Sequence, residues 1–148
     1  MTDFSSNAFS LEYRRDLGIL IGRWLTNVPP PALQGTYEAM LAAAQAHGNC
    51  RFWLLDLRRR PVAGPDLNEW FRDQFSPRLP AALNGPLLTA YLAGPHQRPA
   101  AESHELELYL RREGAANAFP ELFDNEREAM EWLAREQLRA GVVAAKQE

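Results

Sequence analysis

One cysteine, Cys50, stands in a chain of 148 residues. It leaves no intrachain disulfide to form, and a lone thiol suits a reducing compartment, so a cytoplasmic protein is expected. The only lysine is Lys146; every other basic residue is arginine. His47, His96 and His104 are the only histidines, none in an H-E-x-x-H arrangement or at ligand spacing from Cys50, so no metal site is read. No apolar run approaches the ~20 residues that cross a bilayer. Residues 1–10 lack the basic and apolar stretches of an export signal, so neither secretion nor integral membrane association is expected. Neither G-x-G-x-x-G nor G-x-x-x-x-G-K-[ST] occurs, which removes local support for nucleotide binding, and no cofactor is expected. A net charge of -3 supplies no field toward polyanions, so nucleic acid is not an expected partner.

What is present suits one globular core: 46% hydrophobic residues, 24% charged, four Trp, four Tyr and seven Phe. Phe9, Leu11 and Tyr13 alternate with polar neighbours, Gly18-Ile19-Leu20-Ile21-Gly22-Arg23-Trp24 is β-branched and aromatic-rich, and Arg15-Asp16-Leu17-Gly18 supplies turn residues, so the pair reads as a β-hairpin. Pro29-Pro30-Pro31 breaks the chain, with Pro31 suited to a helix's first turn. Leu33, Tyr37, Met40, Leu41 and Ala44 then keep helical spacing over 32–47, and Gly48-Asn49 supplies the stop. Residues 51–57 form a continuous apolar run, the pattern of a central strand covered on both faces. Gly64-Pro65-Asp66 prepares a helix with Leu67, Trp70, Phe71 and Phe75 on one stripe, which Pro77 and Pro80 interrupt. Residues 86–93 read as the next strand. Over 100–113 the pattern fits strand or helix, and the Glu and Leu content favours helix. Residues 118–123 read as a short edge strand, and Asp124 or Asn125 caps a last helix with Ala129, Trp132 and Leu133 on its buried stripe. The expected fold is a single α/β domain over 8–138, with a frayed tail at 139–148. Its order is β-β-α-β-α-β-α-β-α: a mainly parallel mixed sheet with an N-terminal hairpin and flanking helices.

The hairpin ending in Arg23-Trp24, the strand Trp53-Leu54-Leu55-Asp56-Leu57-Arg58, and Leu122-Phe123-Asp124-Asn125-Glu126 leading into Glu128-Ala129-Met130-Glu131-Trp132-Leu133 together resemble small bacterial SpoIIAA-like, or STAS-like, domain proteins of the kind common in Bacteroidetes. The resemblance covers about residues 8–138. It implies a helix-flanked sheet and a regulatory role through protein contact or a small or lipidic ligand. The anti-sigma antagonist branch of that family carries a phosphorylatable Ser at the start of the helix after the central strand. Here Gly64-Pro65-Asp66 stands at that place, so the resemblance does not extend to a kinase-switched mechanism.

Open α/β sheets bind ligands beyond the carboxyl ends of their strands, which makes Asp56 the leading candidate residue. With Arg58, Arg59 and Arg60 it would form a charged lip for an anion, and Trp70 and Phe71 on the next helix would wall an apolar pocket or present a partner surface. The plainer readings are a locally paired strand end and a packed core. Leu55-Asp56-Leu57 also resembles the phosphoacceptor strand of a receiver domain, but the companion acids and the steadying lysine are missing. Ser103-His104-Glu105 has the letters of a triad, yet adjacent side chains diverge. No catalytic residue is assigned. The expectation is a non-enzymatic binding domain whose partner is a protein or a small hydrophobic, lipidic or anionic ligand. An enzyme using Asp56, and a homodimer formed through the aromatic stripe or the hairpin edge, remain the alternatives.

Overall fold

The structure is a computed structural model and describes residues 2–5, 8–26, 30–59, 70–85, 87–94 and 121–141. In chain order these form β1 (Thr2–Ser5), β2 (Phe9–Arg14), β3 (Ile19–Trp24), α1 (Pro30–Ala46) and β4 (Phe52–Asp56). A π-turn (Phe71–Phe75) and a 3-10 turn (Ser76–Arg78) follow, then α2 (Leu79–Leu83), β5 (Leu88–Leu92), β6 (Glu121–Phe123) and α3 (Glu126–Arg139).

The six strands lie side by side in chain order. β1, β2 and β3 run antiparallel, and β3 through β6 run parallel. An α/β protein with a mixed sheet is therefore what the sequence patterning anticipates, including the hairpin and its turn at 15–18. β1 is an addition, since Thr2–Ser5 is too short to show an alternation of its own.

Period-two alternation explains how the middle of the sheet is buried on both sides. Leu20 and Trp24 of β3 and Trp53 and Leu55 of β4 face one way, into a layer with Leu33, Tyr37, Met40 and Ala44 of α1 and Leu79 and Leu83 of α2. Ile19, Ile21, Phe52, Leu54, Leu88, Ala90 and Leu92 face the other way and meet Ala129 and Leu133 of α3. The connections β3 to β4 and β4 to β5 step in the same direction across the sheet, so a common crossover hand puts α1 and α2 on the same side. β2 alternates buried Phe9 and Leu11 with half-buried Ser10 and Glu12, as expected of a strand with one wet face.

Gly22 sits where α1 presses closest: a Cβ there would lie 3.0 Å from Met40 Sδ and 3.1 Å from Phe9 Cζ. Gly48 and Asn49 end α1 with positive φ of 76° and 61°, the left-handed conformation their residue types tolerate best. At α3 the anticipated cap forms, with the Asn125 side chain accepting from Glu128 N at 2.9 Å.

The stripe of Trp70 and Phe75 does not continue as a regular helix. A helix through Pro77 would need the N–H that proline lacks, and the chain instead takes a π-turn, a 3-10 turn and then α2, which places Pro80 at its start. The expected helix start at Gly64-Pro65-Asp66, Leu67, the segment 100–113 and the tail beyond Gly141 lie outside the described residues. Among the described residues no helix is long and apolar enough to cross a membrane.

Candidate functional site

Parallel pairing sets Arg23 of β3 directly beside Asp56 of β4, both at the carboxyl ends of their strands. The alternation that turns Ile21 and Leu54 toward α3 turns these two residues the same way, so a cation and an anion stand together at the rim of an apolar layer. α3 begins above them, and its first residue, Glu126, completes the cluster.

Each group in it is matched. Arg23 Nη1 donates to Asp56 Oδ2 at 3.1 Å, and the same guanidinium grips Glu126 bidentately, Nη1 to Oε1 at 2.9 Å and Nη2 to Oε2 at 2.8 Å. Arg58 reaches back to Asp56 through Nε (2.9 Å) and Nη2 (2.8 Å), and its backbone N–H adds a third bond at 3.2 Å. The chain Arg58, Asp56, Arg23, Glu126 thus alternates in sign. Burial by itself would push the Asp56 carboxyl up, but the hydrogen bonds from Arg58, and then that from Arg23, hold it below the usual Asp value. The bidentate Arg23 contact likewise holds Glu126 below its ordinary value against a smaller opposing effect of burial.

Beside this cluster opens a cleft of about 380 Å³ lined by Arg23, Trp24, Leu25, Asp56, Arg58 and Arg59. Arg59 is exposed and makes no ion pair among the described residues. Among the described residues Leu25 is one of the few large apolar side chains at the surface, 37% exposed. Three guanidinium groups against two carboxylates leave this rim with one net positive charge, next to an apolar wall.

Of the residues singled out in the sequence, Asp56, Arg58 and Arg59 come together here. Trp70 belongs to the opposite layer: half-buried, its ring stacks on Phe75 at 5.2 Å and tilts against Tyr37 at 6.3 Å. Phe71 opens the π-turn, and Arg60 lies outside the described residues. Sequence reasoning missed Arg23 and Glu126 as site residues. The available signal was Arg23 itself, a guanidinium at an inward position of an otherwise apolar strand, which must find a buried anion.

Other reactive groups are accounted for by packing. The buried Cys50 thiol donates to the Gly18 and Phe52 carbonyls at 3.4 and 3.5 Å, and desolvation pushes its pKa up to about 11, so it is a poor nucleophile at neutral pH. A second cleft, of about 440 Å³, lies at the hairpin turn between Glu12, Arg15, Asp16 and the stacked pair Tyr13 and His47, whose rings are 4.1 Å apart. Among the described residues no group of three or more His, Cys, Asp or Glu is arranged to hold a metal ion. The hairpin edge considered for self-association is occupied, because β1 pairs along β2. In comparisons with known proteins, no family model, no curated protein and no solved structure matches the chain.

Proposed function

We propose that this chain is a non-enzymatic, STAS-like binding domain that takes a small anionic ligand in the cleft beyond β3 and β4. The observation that carries this reading is the arginine rim: Arg23, Arg58 and Arg59 around a cleft at the carboxyl ends of two parallel strands, with Leu25 as its exposed apolar side chain. Guanidinium groups are suited to carboxylate and phosphate oxygens because their N–H fork matches that geometry. The cleft's volume suits a small molecule better than a polymer.

Asp56 supports binding rather than acid–base chemistry. A general acid or base works best with a pKa near the working pH, whereas Asp56 is held low and already accepts from two arginines. Its role in this reading is to fix the two guanidinium planes.

Native mass spectrometry of the protein purified from its own host tests the proposal. The expected result is an added small mass that Arg59→Ala loses or weakens. A protein partner retained on a bare cleft, or a bare chain throughout, would overturn it.

A further inference from the structure

The two carboxylates of the cluster are held very differently. Asp56 accepts four hydrogen bonds, and its side chain is 11% exposed. Among the described residues Glu126 is gripped by Arg23 alone, and its side chain is 39% exposed. α3 has other anchors besides that grip. Asn125 caps it, Ala129 and Leu133 anchor it in the core, and Gln137 ties its far end to the hairpin turn. Glu126 is therefore a removable carboxylate seated bidentately on Arg23, the guanidinium that bridges it to Asp56.

Resting on the binding role proposed above, we propose that Glu126 is an internal stand-in for the ligand. The seat on Arg23 takes a free low-molecular-mass oxyanion of the carboxylate or phosphate class, which binds by displacing Glu126. Two parallel N–H donors 2.8 and 2.9 Å from two oxygens of one carboxylate are the geometry such an oxyanion requires. Arg59, at the same cleft and without an ion pair among the described residues, supplies the second cation for an oxyanion of higher charge. Displacement sets the affinity: the ligand must compete with a tethered carboxylate, so the resting protein binds weakly and Glu126 acts as a built-in threshold. The overall charge of -3 offers no attraction to an anionic membrane surface, which favours a free oxyanion over a lipid headgroup.

Isothermal titration with pyrophosphate at low ionic strength tests this, using the intact chain, Glu126→Gln, Glu126→Ala and the control Glu128→Gln. The control removes the same charge from the same helical turn without touching Arg23. Circular dichroism verifies that α3 persists in each. Both Glu126 variants are expected to bind pyrophosphate roughly two- to fivefold more tightly than the intact chain, the size a half-exposed ion pair commands, with Glu128→Gln close to the intact chain. Equal affinities across all four proteins would overturn the stand-in role, and the binding role would survive if Arg59→Ala still weakened pyrophosphate binding. If none of the proteins bound pyrophosphate, vesicles bearing phosphorylated lipid headgroups included as a separate arm would decide the source. Binding to vesicles alone would overturn the free oxyanion, and binding to neither would overturn both readings.

Discussion

At the scale of single residues the chemistry turns on Asp56, whose burial is tolerable only because donors surround it. Replacing it with Ala leaves Arg23 short of one partner and Arg58 of its only described one, at an expected cost of about 1–3 kcal/mol near pH 7. The direction of its titration fixes the pH window. The folded carboxyl ionises below its unfolded value, so its contribution is complete above about pH 4 and is lost as the pH falls through the folded value. In urea unfolding at several pH values, the gap between the intact chain and Asp56→Ala should therefore close in acid. A gap that stayed constant down to pH 2 would show that the charged pairs contribute nothing.

Among elements, the contact of α1 with β3 is the most sensitive to volume. Gly22 lets the helix approach, and Gly22→Val would drive two methyl groups into Met40, Phe9 and Leu55. A loss of about 1–3 kcal/mol is expected, read as a lower denaturation midpoint with an unchanged m-value. An unchanged midpoint would mean that α1 shifts freely on the sheet. Elements of this kind were legible in the sequence wherever a period repeated several times: the alternating hairpin, the three- and four-residue spacing of α1, the apolar run of β4, and the cap at Asn125. β1 was not, because four residues offer too few repeats. The π-turn was not, because Pro77 and Pro80 signal that a helix breaks without saying what replaces it. The ion cluster needed more still. Arg23 and Asp56 become neighbours only through the register of two strands 33 residues apart, and Glu126 joins them across 103 residues. Local pattern identified Asp56 and Arg58, which are two residues apart, and could not reach the other two.

At the scale of the whole molecule, a long-range polar tie among the described residues is Gln137, buried in α3 and donating to the carbonyls of Leu17 (2.9 Å) and Gly18 (3.2 Å) in the hairpin turn. Gln137→Leu is expected to cost about 1–2 kcal/mol. Closing a loop of 120 residues is a late event, so stopped-flow measurements should show most of that cost as faster unfolding. An equal slowing of refolding would place the tie in the nucleus instead. The chain-order sheet has a related outcome during synthesis. Each strand that emerges finds its neighbour already made, so the sheet can grow by accretion from the N-terminal side. Among the described residues, its second face, bearing Ile19, Ile21, Phe52 and Leu54, is covered by α3, the last element made. At about 5–20 residues per second those apolar groups wait roughly 4–15 s for their partner helix, an interval in which the nascent chain is open to sticking to its neighbours.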